Sequence, residues 1–144
     1  MSTNIRLEKV IFELAKVTPD EFGDCLPLLY TLLNDFQTIP NRHLAIPAMF
    51  AIIERYPDAD LGSPGPLVHE IEAIGGYELL LEASLNKSPT ALGCWMANRI
   101  INITQEYTGR RRWLNFLSKI AADPSSPNSA RLEARDFLAN SRRV

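Results

Sequence analysis

Apolar side chains return every three or four positions along almost the whole chain, and the breaks between these stripes fall at proline, glycine and helix-capping residues. The period of two that marks half-buried strands is missing. The pattern therefore predicts an all-α fold. Ile5, Val10, Ile11 and Leu14 build the stripe of a first helix over residues 4–16. Thr18-Pro19-Asp20-Glu21 then combines an N-cap, a first-turn proline and a capping-box glutamate, which predicts a second helix opening at Thr18. Phe22, Cys25, Leu26, Leu29, Leu32, Leu33 and Phe36 would lie along it, with Pro27 forcing a kink or a late start.

Pro40-Asn41 opens a third helix through Leu44, Ala48, Met49, Ile52, Ile53 and Tyr56, closed by Pro57. Residues 58–66 form the longest expected loop. Short helices over residues 67–74 and 77–86 flank Gly75-Gly76, a pair suited to ending one helix and redirecting the chain. Ser88-Pro89-Thr90 starts the most apolar helix, through Leu92, Trp95, Met96, Ile100 and Ile103. A helix over residues 110–122 follows Gly109 with Trp113, Leu114, Leu117 and Ile120, and Ser126-Pro127 opens the last one, with Leu132, Ala134, Phe137 and Leu138. On these stripes Leu29, Leu33, Ile53, Trp95, Ile100, Leu117 and Phe137 are expected in the core. Tyr77, beside two glycines, is expected at the surface.

Three proline-opened helices begin near Pro40, Pro89 and Pro127, each after another amphipathic segment. A period of about 40 to 50 residues is the range of HEAT and armadillo units. The expected architecture is an irregular HEAT-like stack of about three helix pairs in a single domain, residues 1–144. The spacing is uneven, so a compact irregular helical bundle stands as the alternative.

Composition adds a class and removes several chemistries. The 144 residues are 46% hydrophobic and 22% charged, a balance that folds around a core. Glu8 and Glu13 interrupt the N-terminal apolar run and no stretch reaches the roughly 18 apolar residues of a membrane span, so a soluble cytoplasmic protein without a signal peptide is expected. Cys25 and Cys94 lack the paired spacing of a zinc or redox motif and are read as buried thiols. His43 and His69 stand outside any His-Glu-x-x-His arrangement, the glycine turns lack a phosphate-loop Lys-Ser/Thr, and Ser84 and Ser88 lack a nucleophile elbow. No metal, no cofactor and no catalytic residue is expected, and the chain is not read as an enzyme.

Charge changes the picture most. The net charge of −2 excludes a generically basic nucleic-acid binder. Between residues 54 and 86, Glu54, Asp58, Asp60, Glu70, Glu72, Glu78 and Glu82 face only Arg55. Between 87 and 119 the balance reverses, with Lys87, Arg99, Arg110, Arg111, Arg112 and Lys119 against Glu106. Either these are the solvated faces of amphipathic helices, or the acidic segment forms a surface that steers a basic partner. Arg110-Arg111-Arg112 is expected to lie on a helix surface or to pair with the acidic segment.

Four stretches carry a resemblance: Gly65-Pro66-Leu67-Val68-His69-Glu70-Ile71-Glu72; Gly76-Tyr77-Glu78-Leu79-Leu80-Leu81-Glu82-Ala83-Ser84; Ser88-Pro89-Thr90; and Trp95-Met96-Ala97-Asn98-Arg99-Ile100. Together they resemble small all-helical immunity proteins of bacterial polymorphic-toxin and contact-dependent growth inhibition systems. The resemblance implies a cytoplasmic protein that binds one cognate toxin domain, often a basic nuclease, and blocks its active site without turnover. Such families share no fixed contact residues, so charge and expected exposure select the toxin-binding candidates: Asp58, Asp60, Glu70, Glu72, Tyr77, Glu78 and Glu82. A HEAT-like adaptor that holds a peptide or helix in a groove is the alternative.

Overall fold

The computed structural model of the protein describes residues 2–141, with side chains over residues 5–140. Among them are eight α-helices and no β-strand: α1 Ser2–Ala15, α2 Leu26–Leu32, α3 Ile46–Arg55, α4 Pro66–Ile74, α5 Glu78–Lys87, α6 Ala91–Ile103, α7 Tyr107–Ala122 and α8 Asn128–Ser141. The all-α expectation is met. The helices group into two compact units, the first ending at Leu80 and the second starting at Leu81, so the division falls within α5.

In the first unit, α1 packs on α2 and α3, and α4 packs on α2 and α3. Leu7 and Leu14, one heptad apart on α1, are buried with Val17, while Val10 and Ile11 flank them half-buried. Ile5, assigned to that stripe by spacing, instead faces solvent. Phe36, Met49, Ile52, Ile53, Leu67 and Ile71 complete a core in which each is almost wholly buried. Arg55 Nη2 donates to the carbonyls of Leu14 and Val17 at 3.4 and 3.5 Å, tying the C-terminal end of α1 to α3.

The second unit is built on α6, which packs against α7 and α8, themselves in extensive contact. Ala97, Ala130 and Ala134 are fully buried, and such small side chains let helix backbones approach closely. Gly93 belongs to the same economy: a Cβ there would lie 2.9 Å from Leu85 Cδ2. Arg110 Nη1 donates to the carbonyls of Ile101 at 2.6 Å and Thr104 at 3.4 Å, closing the C-terminal end of α6. One of the three consecutive arginines is thereby a helix cap.

Two predicted helix starts hold. Thr90 Oγ1 accepts the Gly93 amide at 2.9 Å and caps α6 just after Ser88-Pro89, and the Arg131 amide bonds the Pro127 carbonyl as α8 opens. Two do not. No helix opens at Thr18, because Asp20 captures nearby backbone amides in a local turn, and Pro27 then sits in the first turn of α2, where its missing N–H is harmless. The start expected at Pro40 is displaced to Ile46, since Asn41 takes a left-handed φ of 60°, a short 3-10 segment Arg42–Ala45 intervenes, and Pro47 occupies the first turn of α3. α7 begins at Tyr107, ahead of Gly109, which is accommodated within its first turn.

Leu29, Leu33, Ile53, Ile100 and Leu117 are buried as expected. Trp95 and Phe137 are only half-buried, a correction to the predicted core. Trp95 lies under the Arg99 guanidinium, 5.6 Å from its ring centroid, whereas Trp113 is the buried tryptophan at 5% exposure.

Candidate protein-binding surface

The loop joining α1 to α2 folds around one carboxylate. Asp20 Oδ1 accepts the backbone amides of Phe22 at 2.8 Å and Asp24 at 3.0 Å, while the Asp20 amide donates to the Asp24 carbonyl and the Gly23 amide to the Asp20 carbonyl. Gly23 closes the turn at a φ of 75°, a conformation costly for a residue with a Cβ. Asp24 Oδ1 in turn accepts the Leu26 amide at 2.8 Å, fixing the entry to α2.

A second loop, between α3 and α4, is stitched to the first. Asp24 and Asp60 form an isolated parallel bridge, with the Cys25 amide donating to the Asp60 carbonyl at 3.0 Å and the Asp60 amide to the Gly23 carbonyl at 2.7 Å. Cys25 and Leu61, buried on the core side, anchor the pair. Asp60 Oδ1 accepts the Gly62 amide at 3.0 Å.

What these loops present is one ring among carboxylates. Phe22 is 84% exposed, the highest value among the large hydrophobic side chains described. Asp20, Glu21, Asp58 and Asp60 are exposed and Asp24 is half-exposed. Their field is felt at Cys25: burial first, and then the charges of Asp24, Asp20 and Asp60, push its thiol upward. Glu21 and Asp58 have no intramolecular partner among the described residues, so their charge is fully available to a partner molecule.

The residues singled out by sequence are scattered in role. Asp58 and Asp60 are on this surface. Glu78 is exposed in the first turn of α5, and Glu72 is half-buried on α4. Glu70 is not a surface residue: it is 9% exposed on α4, Gln37 Nε2 donates to its Oε1, and Arg42 Nη1 lies 4.0 Å from its Oε2. Tyr77 is buried at 6% exposure, so it cannot be the exposed aromatic anchor. Glu82 is held by Arg112, whose Nη2 lies 2.6 Å from Oε1 and 2.7 Å from Oε2. That contact joins the acidic segment to the arginine run, one of the two roles the charge pattern left open for it.

Asp20, Glu21, Phe22 and Asp24 were not legible as a surface from periodicity. Thr-Pro-Asp-Glu reads as a capping box, and that reading puts Phe22 on a helix stripe. The available signal was Asp20-Glu21-Phe22-Gly23-Asp24 itself, in which two aspartates and a glycine favour a turn.

Other chemistry is sparse. His43 and His69 are exposed, both cysteines are buried and unbridged, and no group of three or more potential metal ligands occurs among the described residues. No described helix is long and apolar enough to cross a membrane. A shallow groove of about 460 Å³ runs past Gln37, Asn41, Arg42, His43 and Ile74 in the first unit. Compared with known proteins, the chain matches no family model, no curated protein and no solved structure.

Proposed function

We propose that this protein is an immunity protein that binds a cognate basic toxin domain, a nuclease in the simplest case, and neutralises it by covering the surface where phosphate would bind. The observation that supports this reading is Phe22, exposed on a loop whose backbone is hydrogen-bonded to Asp20, together with Glu21, Asp24, Asp58 and Asp60 on the same pair of bridged loops. Carboxylates steer a basic partner and set its orientation, and a central aromatic anchor excludes water from the contact. Neutralisation of this kind needs no turnover, cofactor or metal. It is the work of a cytoplasmic protein.

The seven sequence candidates reduce under this reading to Asp58, Asp60 and Glu78, with Phe22 replacing Tyr77 as anchor, Glu21 joining the contact set, and Glu72, half-buried and engaged within the protein, left out of it. Glu70 and Glu82 serve the fold. A HEAT-like stacking of helix pairs is compatible with the all-helical chain and belongs to the same proposal.

The test is co-expression with the C-terminal domain encoded by a neighbouring toxin gene, read as co-purification and growth rescue. The triple variant E21K/F22A/D58K, all at exposed positions, is expected to lose rescue while keeping its circular dichroism. Full rescue by that variant rejects the surface; absence of any binding to the wild-type chain rejects the immunity reading. The groove beside Arg42 favours a second reading, an adaptor for a peptide, which predicts peptide binding without growth rescue.

A further inference from the structure

Helix α1 is apolar on two sides. Leu7 and Leu14 are buried on one, while Ile5 at 67% and Phe12 at 62% exposure stand on the other. At 3.6 residues per turn Ile5 and Phe12 fall about 20° apart around the helix, so they form one line along it, with Glu8 about 50° to one side and Lys9 about 50° to the other.

Most charges on this helix are already engaged. Arg6 Nη2 donates to Thr38 Oγ1 at 3.2 Å, and Lys16 Nζ lies 3.9 Å from Glu13 Oε1 and 4.8 Å from the Phe12 ring centroid. Glu8 and Lys9 are exposed and have no intramolecular partner among the described residues. The outer face of α1 therefore offers two apolar side chains flanked by one unengaged acid and one unengaged base. Their charges cancel, so the face does not call for a strongly acidic or strongly basic partner. A matching surface brings an apolar pair at the same spacing, a base for Glu8 and an acid for Lys9. A second copy of α1 brings all four.

We propose that this face is a homodimer contact in which two α1 helices pair in parallel about a two-fold axis running between them. That arrangement stacks Ile5 on the partner's Ile5 and Phe12 on the partner's Phe12, and it sets Glu8 of each protomer beside Lys9 of the other along both edges. Antiparallel pairing would instead set Glu8 against Glu8 and Lys9 against Lys9, so the charges select the parallel form. Two apolar layers bury less than the roughly 1,200 Å² at which stable interfaces begin, so the dimer is a weak one. It uses none of the residues of the Phe22 surface and stands or falls independently of the immunity reading.

Sedimentation equilibrium of the full-length protein from about 10 μM to 1 mM tests it, with a Kd on the order of 100 μM expected. Phe12→Asp should weaken association at least about tenfold, as loss of a central aromatic anchor does. Glu8→Lys, which lines up like charges along both edges, should weaken it about fivefold, and the exchange E8K/K9E should return it to within about twofold of the parent. All three positions are exposed, so circular dichroism should not change. Ile5→Cys should form a disulfide-linked dimer under mild oxidation, because parallel pairing brings the two positions within disulfide reach while Cys25 and Cys94 are buried. A chain that stays monomeric at about 1 mM overturns the contact, as does a dimer that Phe12→Asp or Glu8→Lys leaves unchanged. Failure of the exchange to restore association, or of Ile5→Cys to cross-link, overturns the parallel pairing.

Discussion

Asp20 holds the Phe22 amide at 2.8 Å on the same carboxylate oxygen that holds the Asp24 amide, so the most exposed aromatic ring described is mounted on a turn closed by its own side-chain hydrogen bonds. A ring that contacts little of its own protein contributes little to folding. Its backbone is nonetheless fixed, and preorganisation lowers the entropic cost of using it in a contact.

Removing that carboxylate should loosen the turn. Asp20→Ala is expected to cost about 1 kcal/mol in urea denaturation, since two backbone amides lose their acceptor at an exposed site. Asp20→Asn, which keeps an oxygen acceptor, should cost less. Hydrogen exchange at Phe22 and Asp24 should accelerate in the alanine variant alone.

Two phenylalanines separate surface from core. Phe22→Ala should change stability by less than about 0.5 kcal/mol, whereas Phe36→Ala, at a wholly buried position, should cost about 3 to 5 kcal/mol. Equal costs in denaturation would place Phe22 inside the fold and end its candidacy as an anchor.

The two tryptophans should differ in the same direction. Trp113→Ala removes a ring that is 5% exposed and in contact with Phe116, and is expected to cost about 3 to 5 kcal/mol. Trp95→Ala should cost clearly less, because Trp95 is half-buried and covered on one face by Arg99. Denaturation midpoints of the two variants decide it.

Glu82 and Arg112 should show measurable but modest coupling. Arg112 is 58% exposed and Glu82 15%, so solvent screens the pair, and a double-mutant cycle to alanine should give about 0.5 to 1 kcal/mol. Glu82→Lys alone sets a like charge beside Arg112 and should destabilise. The exchange E82R/R112E should recover most of the loss.

Cys94 gives the pH dependence a sign. Burial, with a smaller contribution from Glu133, pushes its thiol from 9.0 up to about 12. The folded state thus favours the protonated form, so this contribution is fully present below about pH 9 and declines as pH rises toward 12. Stability measured from pH 8 to 11 should fall more steeply in the parent than in Cys94→Ala, and Cys94 should resist thiol reagents at pH 8 until the chain unfolds.

The sequence by itself determined the helical class and much of the punctuation. Period and caps survive translation into structure wherever their partners lie within one turn, as with Thr90 and Gly93 or the opening of α8 after Pro127. Tertiary structure decided which stripe residues are buried, because burial depends on what packs against a helix: Ile5 and Phe22 match an apolar period yet face solvent, and Tyr77 and Glu70 read as surface yet are enclosed. It also decided the candidate site. Asp24 and Asp60 are brought together by backbone bonds between loops far apart in the chain, and no local pattern at either aspartate encodes the other's position.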